Sequence, residues 1–274
     1  MHRVPFKFIA SAMLMFGVMA FSAVAQAGLS GQMFVGETLQ YEANVNRAVF
    51  RGISIADVTF SVTLGPNPAD IRIKSEAESK GTLLRLFRYS FLQQYDSIVE
   101  LSSFRILRTI KHDVQKQRVR DSEAIFDYGR RQVTYIETDP KDAMRPPRRI
   151  ASDIGQQIQD MISAIYWTRL QPLAVGKRFD ISVSDSGLVY RVPVVIVARE
   201  LQKSIVGNIA CFRVQPDIFG PGRLIEQKGK MVIWITDDDR RIPVRSELNT
   251  TFGRVDIKLK GYSKAAQPAG QAPS

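Results

Sequence analysis

The chain has 274 residues, of which 45% are hydrophobic, 9% aromatic and 24% charged. This composition is typical of a globular protein of one or two domains and excludes an intrinsically disordered chain. One cysteine and two histidines exclude an intrachain disulfide and a zinc site built from Cys and His. The formal net charge of +11 favours either an anionic partner or a purely solubilising role for the excess Lys and Arg.

The first 27 residues have the pattern of a secretion signal. Arg3 and Lys7 give a basic start, residues 8–24 form an apolar run, and residues 25–27 read Ala-Gln-Ala, which suits a signal peptidase. A retained membrane anchor is the alternative, but the run is barely long enough to span a bilayer. We therefore predict cleavage after Ala27, which leaves 247 residues in the periplasm and, by removing Arg3 and Lys7, lowers the net charge from +11 to +9.

We expect no membrane anchor after residue 27. No second long apolar stretch follows, and the single cysteine, Cys211, is far from the cleavage site, which excludes a lipid-modified N-terminal cysteine. Cys211 lies in a strand-like run with no partner cysteine and no nearby histidine to lower its pKa. We therefore interpret Cys211 as a packing thiol rather than a redox group.

The dominant pattern of the mature chain is hydrophobic alternation with a period of two residues, which is typical of strands with one buried face. The clearest alternating residues are Val58, Phe60, Val62, Leu64, Ile71, Ile73, Val255, Ile257 and Leu259. Turn residues separate the strands at 65–68, 185–187, 206–208, 220–222 and 237–239. This short spacing predicts antiparallel meanders rather than helical crossovers.

Two finer features concern the shape of the sheet. Residues 192–198 and 231–235 are nearly continuous apolar runs, which predicts strands covered on both faces. The alternation changes phase after Ile55, which predicts a β-bulge near Ala56 and therefore local curvature.

The main exception to the strand pattern is residues 153–170. Apolar side chains recur there at helical spacing, Asp153 is placed to cap the N-terminus, and Pro172 follows the last turn. This pattern predicts an amphipathic helix whose apolar stripe packs on a sheet. A weaker helical pattern covers residues 83–92, and a buried strand is its alternative.

Two strand-rich parts, residues 35–137 and 177–262, flank the central helix. The predicted fold is therefore mainly β, a curved antiparallel sheet or open β-barrel with one central amphipathic helix packed on its apolar face. Residues 28–262 would form a single domain. Residues 263–274 contain too few apolar side chains to pack, and we expect them to be a disordered tail.

Several segments resemble a known family. They read GETLQY at 36–41, FDY at 126–128, DMISAIYWTR at 160–169, LAVG at 173–176, WITDD at 234–238 and RIPV at 241–244. In this order, over about residues 35–260, they resemble the exported bacterial family called domain of unknown function 3108. The resemblance implies a periplasmic or envelope protein of mostly β structure and transfers no catalytic residue, and residues 44–56 depart from the family pattern.

An acidic turn is the first candidate site. Its residues are Asp237, Asp238 and Asp239. Clustered carboxylates suit calcium binding or acid/base chemistry, but consecutive residues in a tight turn point in different directions, and Asp is a preferred turn former. We favour the structural role.

Two charged residues of the central helix are the second candidate. Asp160 and Arg169 are too far apart along the helix to contact each other, but either would reach a strand residue such as Asp238 or Arg241. We interpret them as parts of a structural ion pair between helix and sheet.

The aromatic and catalytic candidates are weaker. Trp167 and Trp234 would line a ligand groove, although aromatic residues on a helix or strand more often belong to the core. His112 is the single histidine of the mature chain, but no Gly-x-Ser-x-Gly turn accompanies it. Phosphate-binding glycine motifs are absent as well, so we predict no catalytic residue, cofactor or metal.

The positive charge is concentrated in residues 80–149, which contain 15 Lys and Arg against nine Asp and Glu. Arg145, Arg148 and Arg149 lie there in a loop rich in proline and charge. If these residues share one side of the protein, they would attract anionic lipid, lipopolysaccharide or glycan. The secretion signal argues against nucleic acid as the partner, and a merely solvated face is the alternative.

Two functional hypotheses remain. The first is a non-catalytic envelope protein that binds an amphiphilic or anionic component or supports envelope integrity. The second is a hydrolase or lyase that attacks an envelope polymer through carboxylates of Asp160, Asp237, Asp238 or Asp239. We favour the first because it needs no catalytic constellation that the sequence lacks.

Overall fold

The computed structural model describes residues 31–47, 50–250 and 253–265. The predicted secretion signal lies outside these residues, as does the predicted tail from residue 266 onward. Within the described part of the chain, none of the helices has the length and apolar character needed to cross a membrane.

The described residues form fourteen strands, two α-helices and one short 3-10 helix. The strands are β1 (Glu37–Arg47), β2 (Phe50–Leu64), β3 (Asp70–Ser79), β4 (Phe91–Glu100), β5 (Ile106–Gln115), β6 (Arg118–Asp127), β7 (Gln132–Thr138), β8 (Arg148–Asp153), β9 (Arg178–Asp185), β10 (Leu188–Ser204), β11 (Gly207–Pro216), β12 (Gly229–Thr236), β13 (Pro243–Thr250) and β14 (Gly253–Lys264). The helices are α1 (Gly81–Phe87) and α2 (Ser163–Leu170), and the 3-10 helix is Gly31–Phe34.

All fourteen strands belong to one antiparallel sheet. Their order is β8, β7, β6, β5, β4, β3, β2, β1, β14, β13, β12, β11, β10, β9. Each half is a meander because short turns join consecutive strands, and the pairing of β1 with β14 unites the two halves. The prediction of one mainly antiparallel β structure is confirmed, and the sheet is open because its edge strands β8 and β9 do not pair with each other.

The segment between β8 and α2 lies across the gap between the two edge strands. The backbone amide of Gln159 donates to the carbonyl of Ser182 at 2.9 Å, and the amide of Ser184 donates to the carbonyl of Gln159 at 2.8 Å. The hydroxyl of Ser152 donates to the carbonyl of Gly187 at 2.7 Å. These bonds cover an edge that would otherwise expose unpaired backbone groups, and they bring the open sheet close to a barrel shape.

The predicted helix of residues 153–170 is too long. The helix begins only at Ser163, whereas residue 153 ends β8 and residues 154–162 form bends and a bridge to β9. The helical spacing of apolar residues predicted too early a start because the backbone of Gln159 forms hydrogen bonds with β9 and not within a helix. The residue that caps α2 is Asp160, and Asp153 does not cap it.

The region of the weaker helical pattern contains both predicted structures in succession. Helix α1 ends at Phe87, where Arg88 takes a left-handed conformation with φ of 51°, and β4 begins at Phe91. The helix and the strand were alternatives at the sequence level because an apolar run of this length satisfies both periods.

The finer strand predictions have mixed outcomes. The predicted β-bulge near Ala56 is confirmed. Ala56 pairs with Ala43 and Ser54 pairs with the next residue, Asn44, so Ile55 has no partner residue in β1. The prediction for residues 192–198 holds only in part, since fully buried and partly buried residues alternate along this stretch and only one face is fully covered. Residues 231–235 pack into hydrophobic clusters on both faces. β14 continues through Lys264, so residues 263 and 264 belong to the sheet and not to the tail.

Helix α2 lies against the inner face of the curved sheet, which we define as the face that it contacts. Tyr166 packs with Phe34 and Phe60 in the cluster of the first half, while Ala164 packs against the cluster of the second half. Trp167 contacts both clusters. The sheet therefore curves around α2, and its interior is where a ligand would meet both halves.

Candidate ligand-binding interior

The inner face carries a continuous cross-strand row that changes from apolar to polar. From β1 to β6 its neighbouring members are Leu39, Phe60, Ser75, Tyr95, Lys111 and Ser122. Because alternate side chains of a strand share one face, the sequence places these six residues together once the register is set. Along this row, the interior is therefore apolar near β1 and polar near β5 and β6, whereas Ile106 and Phe126 of the same two strands belong to the apolar core.

An apolar cavity of about 110 Å³ lies at the apolar side of this row. Its lining combines the two halves of the sheet with helix α2: Leu39, Tyr41, Val58, Phe60, Ile165, Tyr166, Met231, Ile233, Pro243, Ser246 and Ile257. Met231, Ile233 and Ile257 are only partly buried, so solvent reaches the cavity wall. The cavity exists because β1 and β14 bring residues from both ends of the chain to the same place.

One polar group in the cavity wall lacks a partner. The hydroxyl of Tyr166 is buried and makes no hydrogen bond with the described residues. The hydroxyl of Tyr41, by contrast, donates to the carbonyl of Pro243 at 2.7 Å. Burial raises the pKa of Tyr166, so its phenol keeps its proton. A buried O–H without an acceptor is unfavourable, and a ligand that offers an oxygen acceptor would relieve it.

Beside Tyr166 lies a buried ion pair. The Arg169 guanidinium donates to both carboxylate oxygens of Glu37, at 2.6 and 2.7 Å, and also to the carbonyls of Arg240 and Arg241. Burial by itself would lower the pKa of Arg169, and the contacts with Glu37 reverse that effect, so the net shift is upward. This pair fixes α2 to the first strand of the sheet.

The N-terminus of α2 is held by Asp160. Its Oδ1 accepts from the amides of Ile162 and Ser163, and its Oδ2 accepts from the hydroxyls of Ser97 and Thr109. The carboxylate is buried, and these four hydrogen bonds use its acceptor positions. Asp160 therefore connects α2 with β4 and β5.

A small polar pocket of about 30 Å³, the room of one water molecule, lies next to Asp160. Lys111 and Tyr95 line it together with Asp185, and the Lys111 ammonium lies 4.9 Å from the centre of the Tyr95 ring. Burial would lower the pKa of Lys111, but Tyr95 and Asp185 raise it overall, so the ammonium stays charged. None of the described carboxylates forms an ion pair with Lys111 within 4 Å.

The two tryptophans proposed as ligand-groove residues do not line the apolar cavity. Trp167 packs edge-to-face with Phe179, and its buried indole N–H makes no hydrogen bond with the described residues. Trp234 belongs to another cluster, where its indole N–H donates to Glu200 and the Arg245 guanidinium lies over its ring. Both are largely packing residues of the sheet.

The acidic turn is occupied by structural contacts. Asp237 forms an ion pair with Arg199 at 2.6 Å. Asp238 accepts from the hydroxyl of Thr236 and from the Arg240 side chain and backbone. These contacts are typical of a turn between β12 and β13 and leave no pair of free carboxylates.

Arg241 does not pair with the carboxylate of Asp160. Its carbonyl accepts from Arg169, its guanidinium lies over the ring of Phe212, and Asp237 is 3.9 Å away. An ion pair between α2 and the sheet is present, but its carboxylate comes from Glu37 and not from a residue of the predicted site. Asp160 acts through hydrogen bonds alone and contacts a different part of the sheet from Asp237 and Asp238.

The remaining nucleophile candidates lack catalytic partners. His112 contacts Asp121 at 2.5 Å on the face opposite to Lys111. Ser61, in the same outer groove, is three strands away and two residues out of register with His112, so the two residues are more than about 14 Å apart at the usual strand spacing. Cys211 is fully buried, and burial raises its pKa to about 11. Within the described residues no group of three or more His, Cys, Asp or Glu is arranged to hold a metal ion.

The arginines of the charged loop are exposed. Arg145 lies 3.7 Å from Asp139, and Arg148 and Arg149 are the first two residues of β8. They lie outside the interior, so the predicted ligand residues are divided between the core and an outer rim.

Three residues of the interior, Glu37, Tyr166 and Lys111, are not among the site residues predicted from the sequence. A signal for Glu37 was present, because it continues the alternation of Leu39 and Tyr41 toward the N-terminus and therefore falls on the buried face. Tyr166 and Lys111 had no comparable signal, since their importance depends on what lies across the sheet.

Comparisons with known proteins agree with this fold. The sequence profile of the family "Protein of unknown function (DUF3108)" matches residues 40–260. None of the curated proteins matches the chain.

Two solved structures match most of the chain. A β-barrel-like protein of domain of unknown function DUF1849 from Brucella abortus has a TM-score of 0.56 at 10% identity, over 85% of this chain and 99% of that chain. A protein with a YmcC-like fold from Bacteroides fragilis has a TM-score of 0.32 at 11% identity, over 84% of this chain and 96% of that chain. The first likeness concerns the fold alone, and the second is too distant to support an argument.

Proposed function

The chain belongs to the DUF3108 family, and we propose that it is an exported, non-catalytic protein of the cell envelope that binds an amphiphilic ligand on the inner face of its sheet. The observation that carries the proposal is the apolar cavity of about 110 Å³ with the unpartnered hydroxyl of Tyr166 in its wall. Export is supported by the signal-like residues 1–27 and by the exported family that the sequence resembles.

The cavity suits the end of an alkyl chain or a small ring. Its volume equals about four water molecules at about 30 Å³ each. Its mostly aliphatic and aromatic lining offers water few hydrogen-bond partners, so an apolar guest is favoured there. Each methylene that leaves water for such a site contributes about 0.8 kcal/mol to binding, so the cavity favours an apolar segment.

The polar side of the inner row suits the head of the same ligand. Lys111 is three strands from Phe60, which corresponds to about 14 Å. Its ammonium is partly desolvated, and although Asp185 acts on it electrostatically, none of the described carboxylates lies within 4 Å, so an anionic head is a complementary group. A carboxylate or phosphate on a short amphiphile would reach Lys111 while its apolar end fills the cavity.

The direct test is mass spectrometry of the organic extract of protein purified from the periplasm. We expect that extract to contain an amphiphile in a stoichiometric ratio to the protein. A displaceable fluorescent fatty acid provides a second measurement on delipidated protein. An empty extract together with no binding of the fatty acid would overturn the proposal.

Variants locate the ligand. Ser246→Phe places a ring in the cavity and should weaken fatty-acid binding at least tenfold, whereas Ser263→Phe, an exposed position on β14, should leave it unchanged. Lys111→Gln should weaken binding of the fatty acid but not of the corresponding uncharged alcohol. Equal effects of Ser246→Phe and Ser263→Phe would place the ligand outside the cavity.

A further inference from the structure

Three connections of the sheet form one continuous edge. Helix α1 joins β3 to β4, the turn at residues 116–117 joins β5 to β6, and residues 139–147 join β7 to β8. Because β3 to β8 are consecutive neighbours in an antiparallel sheet, these connections leave the same end of the strands. We call this end the α1 rim.

Direct contacts hold the α1 rim together. The amide of Lys116 donates to the carbonyl of Ser90, just after α1, at 2.9 Å, and its ammonium lies 5.8 Å from the Tyr89 ring centre. The ammonium of Lys141 donates to the carbonyl of Gln117 at 2.9 Å. The three connections therefore form one surface rather than three separate tips.

The α1 rim exposes large apolar side chains. Leu84 is 54% exposed, Leu86 39% and Met144 91%. None of the residues of α1 is buried. Leu83 and Phe87 are partly buried, but Leu84 and Leu86 face water, so burial of these two leucines needs an external apolar phase.

The same rim carries cations without carboxylate partners. In the described part of the chain, no ion pair within 4 Å involves Arg85, Arg88, Lys116, Lys141, Arg148 or Arg149, and all of these are exposed or partly exposed. Most other arginines of residues 80–149 form ion pairs, as Arg105 does with Glu100 and Arg108 with Glu123; the exception among the described residues is Arg131, in the β6–β7 turn. The positive surplus of this segment is thus concentrated at the rim.

We propose that the α1 rim docks the protein on the surface of an anionic lipid bilayer. Leu84, Leu86 and Met144 enter the boundary between headgroups and acyl chains, and the six cations bind the lipid phosphates. Exposed apolar side chains surrounded by Lys and Arg are the combination that holds proteins in the plane of a membrane surface. The positive charge of the rim is complementary to an anionic bilayer, which is why we choose that partner. This proposal does not depend on a ligand in the interior.

Co-sedimentation with vesicles tests the charge component. Binding to phosphatidylcholine vesicles with about one third phosphatidylglycerol should be clear at low salt and fall steeply as salt rises. The double variant Arg148→Ser/Arg149→Ser should weaken it about tenfold or more. The control Arg108→Ser/Arg130→Ser removes the same charge from exposed positions outside the rim and should have a much smaller effect.

A second pair of variants separates a bilayer from a soluble polyanion. Leu84→Ser/Leu86→Ser should weaken vesicle binding severalfold, while the control Leu64→Ser/Leu201→Ser, at exposed leucines elsewhere, should not. An environment-sensitive dye on Met144→Cys should shift to the blue on vesicles. The proposal would be overturned if vesicle binding did not depend on salt, or if rim and control variants had equal effects. It would also be overturned if the dye showed no blue shift on vesicles while the protein bound an acidic glycan equally well.

Discussion

Arg169 and Glu37 form a bidentate ion pair across 132 residues of sequence, with side-chain exposures of 0% and 3%. Removing either partner leaves the other as an uncompensated buried charge. We expect Arg169→Met or Glu37→Gln to lower the free energy of unfolding by about 4 kcal/mol in urea titrations.

The double variant Arg169→Met/Glu37→Met tests this explanation. It removes both charges, so it should recover at least half of the loss seen in the single variants. Single variants that cost less than about 1 kcal/mol would show that the pair is not desolvated as the structure indicates.

Asp160 is expected to be the second most sensitive polar position. Asp160→Ala removes acceptors for two backbone amides of α2 and for the hydroxyls of Ser97 and Thr109, and should cost about 3 kcal/mol by chemical denaturation. Asp142→Ala is the control, because Asp142 is exposed and accepts one amide in a surface loop, and it should change stability by less than about 0.5 kcal/mol. Similar losses in the two variants would contradict the role of Asp160 as a connector.

The contact between the β9–β10 turn and β7–β8 can be tested at Gly187. An added Cβ would lie 2.6 Å from the Cβ of Tyr135 and 2.9 Å from that of Ile150, at a φ of +81°. Gly176 has nearly the same φ, +86°, but open space around it. Gly187→Ala should therefore lower the free energy of unfolding by about 2 kcal/mol more than Gly176→Ala does. Equal losses would mean that the β9–β10 turn does not pack closely against Tyr135 and Ile150.

Glu42 provides a pH-dependent prediction. Hydrogen bonds from Lys80 and Ser54 are the main causes that lower its pKa from 4.5 to about 2, with Lys260 adding to the effect. Because the folded pKa is depressed, the stabilisation is complete above pH 4.5 and is lost as the pH falls from 4.5 toward 2. Solvent screens these partly exposed groups, so Glu42→Gln should cost about 1 kcal/mol at neutral pH.

The measurement is the stability difference between wild type and Glu42→Gln as a function of pH. This difference should shrink through the window from pH 4.5 to about 2. Glu78→Gln, which removes an exposed carboxylate without an ion pair among the described residues, should show no such trend. A constant difference for Glu42→Gln would contradict the prediction.

Local pattern was sufficient for much of the sheet. Alternating residues such as Val58, Phe60 and Val62 define a strand face without any knowledge of neighbours, because side chains of a strand alternate between its two faces. The same rule located the bulge beside Ala56. The boundaries of α2 could not be derived in this way, since the backbone of Gln159 completes hydrogen bonds with β9, which lies outside any local window.

The candidate site was less accessible to prediction. Arg169 was recognised as a structural charge, but 27 acidic residues compete as partners in the sequence, and only the packing of α2 beside β1 selects Glu37. The apolar cavity likewise depends on β1 pairing with β14, which joins residues more than 200 positions apart. Trp167 and Trp234 were chosen for their chemistry alone, and the tertiary structure places both in packing positions.

The sequence by itself therefore determined the strand faces, the family and the excess of positive charge, because these depend on residue type and on spacing within a few residues. Only the tertiary structure decided the partner of Arg169, the cavity beside Tyr166 and the concentration of unpaired cations at the α1 rim. Each of these depends on strand register and on long-range packing, where one contact is selected from many that are chemically equivalent in the linear chain.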